Sequence, residues 1–193
     1  MNRILLISGK MGSGKTTLAE RLGNYMHSVF NWGYKHVKFA SPIYEMHAMC
    51  RGVLKHYDIP VSEEKDGNLL QLLGTEWGRK HLGEDVWVQC AQNTCSQWFK
   101  KFEKRKNNLI IIDDCRFENE LAAFPEAFKV RLECDRDIRK ERATMWRENE
   151  NHPSEIGLDN RESRFDLILN TDRLNINECV LAVEESLREG WDS

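Results

Sequence analysis

Gly9-Lys10-Met11-Gly12-Ser13-Gly14-Lys15-Thr16 fits the pattern G-x-x-x-x-G-K-[ST], and the residues on either side of it decide the fold. Before it, Ile4-Leu5-Leu6-Ile7 is a continuous apolar run, as expected of a strand buried on both faces of a parallel sheet. After it, Leu18, Leu22, Met26 and Phe30 recur every four residues between Thr17 and Phe30, which predicts an amphipathic helix. In that setting the glycines let successive N–H groups turn inward around a phosphate. They also deliver it to a helix N-terminus, where free N–H groups and the dipole favour an anion. Lys15 is expected at the β- and γ-phosphates of ATP and the Thr16 hydroxyl on Mg²⁺. Gly12, Ser13, Gly14 and Thr17 complete the expected ATP contacts from this stretch.

Outward from it, strand and helix alternate to the end of the chain. His36-Val37-Lys38-Phe39-Ala40 reads as a second strand, and Ser41-Pro42 supplies a cap and a first-turn proline for a helix to about Tyr57. Asp58 to Asn68 is polar and contains Pro60, Asp66 and Gly67, so it reads as a loop. Leu69 to Leu82 and Glu84 to Lys106 read as helices with a break at Gly83. Leu109-Ile110-Ile111-Ile112 is the clearest buried strand, and strands over Phe128–Glu133 and Phe165–Leu169 follow it. A helix rich in Arg and Glu runs from Asp135 to about Arg147, and Ile176, Val180, Val183 and Leu187 stripe a final one. This order predicts an α/β, three-layer P-loop NTPase fold: a five-stranded parallel sheet, helices on both faces, right-handed crossovers.

The 193 residues, 40% hydrophobic and 31% charged, suffice for a buried core without disulfide or metal staples. The net charge of -3 argues against polymeric nucleic acid and anionic membrane as partners, and is compatible with a small anionic substrate held by local arginines. Six cysteines at 50, 90, 95, 115, 134 and 179 form no CxxC pair, so neither a zinc site nor a redox pair is expected. Reduced thiols, no targeting pattern and no bilayer-length apolar run predict a cytoplasmic protein.

The third strand ends in Asp113-Asp114-Cys115-Arg116-Phe117-Glu118-Asn119-Glu120. An aspartate leaving a buried strand beside the P-loop strand is placed to hold Mg²⁺ or its waters; Asp114 is taken as that group, with Asp113 as the alternative. Arg116 falls at the carboxyl end of the sheet, where ligands of open α/β folds bind. No Asn-Lys-x-Asp is present to recognise guanine, which disfavours a GTPase. Arg136, Arg139, Lys140, Arg142 and Arg147 follow the fourth strand, and 139 and 142 share a helix face. On a mobile lid such arginines close over phosphates and stabilise transition-state charge; Arg142 is the catalytic candidate and Arg139 an ATP contact.

Three further segments, taken with the P-loop, resemble the phage deoxynucleoside monophosphate kinases. Leu70-Gln71-Leu72-Leu73-Gly74-Thr75-Glu76-Trp77-Gly78-Arg79 with Trp87-Val88 resembles their nucleotide-acceptor region. Asp114-Cys115-Arg116-Phe117-Glu118-Asn119-Glu120 resembles their D-x-R-x-x-x-E segment, and His152-Pro153-Ser154-Glu155-Ile156-Gly157-Leu158 their lid-proximal segment. The resemblance implies a single kinase domain over 1–193 with a helical acceptor-binding subdomain over 43–106 and a lid over 136–157. It implies transfer of the ATP γ-phosphoryl group to a deoxynucleoside 5′-monophosphate, homodimer formation, and residence in the host cytoplasm for a phage-encoded chain. Gln71, Arg79, Trp87, Arg116 and Glu120 become acceptor contacts, and adenine is expected beside Asn170-Thr171, past the fifth strand. Trp77 and Trp87 also read as core residues. Animal phosphomevalonate kinases share similar D-x-R and S-E-x-G-L segments, so a kinase for another phosphorylated small molecule is the nearest alternative. An ATP-gated switch protein without an acceptor is the alternative from a different class.

Overall fold

The computed structural model describes residues 1–143, 146 and 153–192. Arg147 and His152, expected in the lid, lie outside the described residues. Five strands form one sheet: β1 (Asn2–Gly9), β2 (Gly33–Val37), β3 (Asn108–Cys115), β4 (Phe128–Glu133) and β5 (Leu167–Asn170). All are parallel, in the order β2-β3-β1-β4-β5, so the expected fold is borne out. β1 is central, and the chain leaves it at Gly9 between the carboxyl ends of β3 and β4. Ligands of open α/β sheets bind at that edge.

Alternation along β1 builds two cores. Leu5 and Ile7 face α1 (Lys15–Phe30) and α8 (Ile176–Asp192), packing with Leu18, Leu22, Val183 and Leu187. Ile4 and Leu6 face the other side, against α4 (Val86–Lys101) through Val88, Ala91 and Cys95. Leu5, Leu6 and Ile7 are 0% exposed, which explains why the run does not alternate with polar residues. Burying each such side chain stabilises by about 1.5–3 kcal/mol. α4, inside the span expected for the acceptor subdomain, therefore packs into the core of the sheet itself.

β2 starts earlier than expected and ends at Val37 rather than Ala40, while α2 (Ser41–His56) begins at Ser41-Pro42 as expected. Both carboxylate oxygens of Asp114, at the end of β3, accept backbone N–H groups: Phe39 at 2.9 Å and Ala40 at 3.0 Å. Those bonds draw the chain off the sheet edge and satisfy two donors ahead of the helix. Ala40 is the N-cap, and the capping role expected of Ser41 is filled from another strand.

The predicted loop ends earlier than expected, because Asp66 caps α3 (Gly67–Gln71) by accepting the N–H groups of Asn68 and Leu69. α3 then widens into a π-helix over Leu72–Leu82, which closes on a five-residue bond from Gly83 N–H to the Gly78 carbonyl. Gly74 and Gly78 are buried against Trp87, whose indole N–H donates to the Gly74 carbonyl at 2.8 Å. A Cβ on Gly78 would stand 2.1 Å from the Trp87 ring. Trp87 is thus a core residue, 3% exposed, while Trp77, also expected in the core, is 43% exposed. The small residues, not Trp77, occupy the inward face of this helix. α5 (Glu118–Ala122), α6 (Arg136–Arg142) and α7 (Pro153–Ile156) are short and lie around the carboxyl edge of the sheet.

Candidate active site

At the carboxyl end of β1 the backbone makes the cradle. Gly12 (φ +82°) and Gly14 (φ +93°) hold left-handed conformations that bring N–H groups inward, and a Cβ on Gly12 would meet the Arg139 carbonyl at 2.4 Å. α1 starts with no side-chain cap and no acidic residue in its first turn, so its leading N–H groups point at the cradle. Lys15 is buried, and its Nζ donates to the carbonyls of Gly9 (2.7 Å) and Lys10 (2.8 Å). Burial, with the positive charge of Arg116 behind it, lowers its pKa to about 7 against the pull of Glu155, Asp113 and Asp114.

Beside Lys15, the Thr16 hydroxyl donates to Asp113 Oδ2 at 2.6 Å. Asp113 is 1% exposed, with His36 Nε2 2.8 Å from Oδ1 and Lys38 Nζ 3.4 Å from Oδ2. Burial pushes this carboxyl up, but the contacts of His36 and Thr16 and the charge of Lys38 outweigh it and hold it below the ordinary value. Asp114 moves the other way: burial raises it despite its two backbone N–H bonds. Of the two aspartates it is therefore Asp113, not the expected Asp114, that faces Thr16. An ionised Asp113 with a threonine hydroxyl is a hard oxygen pair suited to Mg²⁺, which takes one or two protein ligands and completes its shell from water and phosphate.

From Lys15 and Thr16 a cavity of about 760 Å³ extends to the π-helix. Gln71, Thr75 and Arg79 line its far wall, and Arg116 stands between the two ends. Arg79 donates to Glu120 Oε1 at 2.8 Å and lies 4.3 Å over the Phe117 ring. Glu120 spends its other oxygen on the N–H groups of Arg116 (2.7 Å) and Phe117 (3.1 Å), and burial pushes its pKa up to about 7. Glu120 and Trp87 touch the cavity, but their polar atoms are already used within the protein. Both support the wall that carries Gln71, Arg79 and Arg116.

On the opposite side of the P-loop, a smaller cleft of about 240 Å³ is lined by Gly14, Thr17, Arg142, Thr171, Asn175 and Ile176 among others. Arg142 donates to the Thr171 carbonyl at 3.0 Å and also borders the mouth of the P-loop. Asn170, expected there, faces a different groove with Asp135 and Arg131, and its Oδ1 accepts the Asp172 N–H at 2.9 Å. The reason is strand periodicity: adjacent residues leave β5 on opposite sides, and Thr171 takes the cleft. Arg139 is 6% exposed and donates to the carbonyls of Cys134 (3.1 Å) and Met11 (3.2 Å), so it braces the P-loop from behind.

Three side chains in this site were not expected: Lys38, His36 and Glu155. Lys38 and His36 sit at the carboxyl end of β2, a position whose significance rests on β2 and β3 being neighbours. Glu155 carries a signal, since it falls in the lid-proximal segment, but its reach to Met11 and Arg116 depends on tertiary structure.

Among solved structures, the chain is similar to a sugar kinase from Janibacter (TM-score 0.55, 14% identity, 97% of this chain and 95% of that one). It is likewise similar to the APS kinase of Mycobacterium tuberculosis in complex with AMPPNP and APS (TM-score 0.55, 13% identity, 97% and 98% covered). A shikimate kinase from Bacteroides thetaiotaomicron aligns with a TM-score of 0.50, 19% identity and coverage of 96% and 98%. At such identities the likeness is one of fold, the P-loop fold of small-molecule kinases. No curated protein sequence matches the chain. The AAA domain family model matches residues 5–165, from β1 through the cradle and the β3 end to the edge of β5, and the chain belongs to that family.

Proposed function

We propose that the protein is a kinase that transfers the γ-phosphoryl group of ATP to a deoxynucleoside 5′-monophosphate. The observation that carries this is the single cavity of about 760 Å³ that joins Lys15 and Thr16 to Gln71, Arg79 and Arg116. Its volume suits a nucleotide-sized ligand. The acceptor wall carries Arg79 and Arg116 beside the apolar side chains of Ile43, Leu70 and Phe117, as a phosphate with a nucleoside attached requires. The segments that build this wall are those that resemble the phage kinases.

In this proposal the Gly12–Thr16 backbone and Lys15 bind the donor phosphates, Arg142 borders them, and the cleft at Thr171 and Ile176 takes the adenine. Thr16 and Asp113 would hold Mg²⁺, which would supply charge neutralisation on the phosphates. Arg116 and Arg79 bind and orient the acceptor phosphate. One of its oxygens attacks the γ-phosphorus in line; the bond from that phosphorus to the β,γ-bridging oxygen breaks and ADP leaves. The attacking oxygen is already anionic near pH 7, because the second pKa of a phosphate monoester is about 6, so no general base is needed. Positioning and charge stabilisation remain as the work of the site.

The test is a coupled ADP assay with the common dNMPs and NMPs, and phosphomevalonate as the competing acceptor. ADP formed only with a nucleoside monophosphate supports the proposal. Turnover with phosphomevalonate alone moves the acceptor assignment, and acceptor-independent hydrolysis favours an ATP-gated switch. Arg116→Ala is expected to raise the acceptor KM at least tenfold while leaving ATP affinity within about threefold. Unchanged acceptor kinetics would remove Arg116 from the acceptor site.

A further inference from the structure

The stretch from Glu155 to Asp159 carries two carboxylates, and both reach the first limb of the P-loop. Asp159 contacts Lys10 Nζ (2.9 Å) and Arg131 (2.9 Å), and Leu158 between them is buried in the core on the α4 side of the sheet. Glu155 goes further. Its carboxylate is 6% exposed; Oε2 accepts the Met11 N–H at 2.8 Å, and Oε1 is paired with Arg116 Nη1. The two oxygens thus bridge the donor loop after β1 and the arginine after β3, just beyond the last ladder pair of those two strands, Ser8 with Cys115.

We propose that Glu155 is a positioning residue for phosphoryl transfer: its buried carboxylate ties the Arg116 guanidinium to the P-loop backbone at Met11 and sets the distance between acceptor and donor phosphates. The inference rests on the kinase function proposed above. The chemistry favours a carboxylate at this place for two reasons. An arginine facing the P-loop lysine inside a cavity needs a counter-charge, and Glu155 lies close enough to both to act on Lys15 as well. Glu155 stays ionised in spite of burial, which by itself would raise its pKa; the Arg116 charge and the Met11 N–H hold it below the ordinary value. A charged, two-oxygen link of this kind is also directional, since each oxygen has its own donor. In-line transfer is sensitive to such a link, because a misplacement of about 1 Å can cost on the order of a hundredfold in rate.

The experiment is a double-mutant cycle in the full chain with Glu155→Gln, Arg116→Ala and both together, read in kcat, in KM for ATP and for the best monophosphate, and in thermal melting. Gln keeps an oxygen for the Met11 N–H and loses the charge that holds Arg116. Glu155→Gln is expected to lower kcat/KM for the acceptor by about ten- to a hundredfold and to change the ATP KM less than about threefold. In the double variant the loss should equal that of Arg116→Ala alone, since a residue that acts through Arg116 has nothing left to position. Losses that multiply would overturn the proposal, as would a Glu155→Gln protein with unchanged or higher activity, which would make the carboxylate a competitor of phosphate. If Glu155→Gln melts below the assay temperature, Glu155→Asp, which keeps the charge and shortens the reach, must show the same non-additive loss. A wild-type chain that phosphorylates no nucleoside monophosphate defeats the parent function as well; an active wild type with an additive cycle defeats only the role of Glu155.

Discussion

On the proposed function, the donor and acceptor halves of the cavity are built in opposite ways. The donor half is backbone: glycines in left-handed conformations, an uncapped helix start, and a lysine already seated on two loop carbonyls. The acceptor half is side chains borrowed from three distant pieces of chain: Gln71 at the end of α3 with Arg79 on the π-helix that follows it, Arg116 after β3, and Tyr44 and Ile43 on α2. α2 itself has only His47 buried, and Met49, Val53, Leu54 and Tyr57 in and just after it are exposed. A phosphate cradle can be rigid because every nucleoside triphosphate presents the same phosphates. An acceptor wall must be selective, and selectivity needs groups that differ from one kinase to the next. The two halves should therefore respond differently to substitution.

The largest effect belongs to the donor half. Lys15→Ala removes the lysine that the P-loop holds for the β- and γ-phosphates, and we expect kcat to fall by about a thousandfold or more, measured with saturating acceptor. Melting should hold or rise, because a buried ammonium is lost along with its desolvation cost. Next is the pair at the end of β3, which the two halves share. Asp113→Asn removes the carboxylate that faces Thr16 and should cost on the order of a hundredfold in kcat, partly restored by raised Mg²⁺. Asp114→Asn retains one acceptor for the Phe39 and Ala40 N–H groups and should mainly lower the melting temperature. If Asp114→Asn is the one rescued by Mg²⁺, the roles are reversed.

That pair also shows what a sequence reveals and what it withholds. Ile4–Ile7, the P-loop and Leu109–Ile112 are legible because both their composition and their order are dictated locally: a buried strand must be apolar, and a phosphate turn must be glycine. The sheet, its parallel sense and the lysine follow from those. Asp113 and Asp114 are adjacent and chemically identical, and period-two alternation sends them to different sides of β3; which side holds Thr16 depends on the neighbouring strand. Asn170 and Thr171, expected together beside adenine, part in the same way at the end of β5: Thr171 lines the cleft and Asn170 the other groove. The π-helix was not legible because Gly74 and Gly78 in a helical pattern also fit an α-helix with a weak spot; the Trp87 ring that packs on Gly78 and bonds the Gly74 carbonyl comes from the next helix. Glu155 reaches Arg116 across 39 residues, and no local pattern reports that distance.

Gly78→Ala tests the acceptor half without touching a polar group. Alanine favours a helix over glycine by about 1 kcal/mol, but its Cβ would overlap the Trp87 ring at 2.1 Å, well inside contact. Overpacking of a buried site costs about 1–3 kcal/mol, so the clash should win or the wall should shift. We expect a melting temperature lower by roughly 2–8 °C and a several-fold higher acceptor KM, with ATP affinity unchanged. An equal loss on both substrates would mean that the two halves are one mechanical unit.

The smallest effect separates the halves by proton count. Free Lys15, with a pKa of about 7, is mostly neutral at pH 8, whereas an exposed lysine is charged there. Triphosphate in the cradle places several negative charges against it and favours the ammonium. ATP binding at pH 8 should therefore take up a sizeable fraction of a proton, seen as a calorimetric enthalpy that varies with the ionisation heat of the buffer. At that pH the triphosphate is itself fully ionised, so the uptake belongs to the protein. The sign follows from linkage: a lysine whose native pKa is depressed binds fewer protons than the unfolded chain between about pH 7 and 10, so the unliganded protein gains stability from this group as pH rises through that window. The Lys15→Ala protein should take up far less under the same conditions. Buffer-independent ATP enthalpies at pH 8, or their persistence in Lys15→Ala, would assign the depressed charge to some other group.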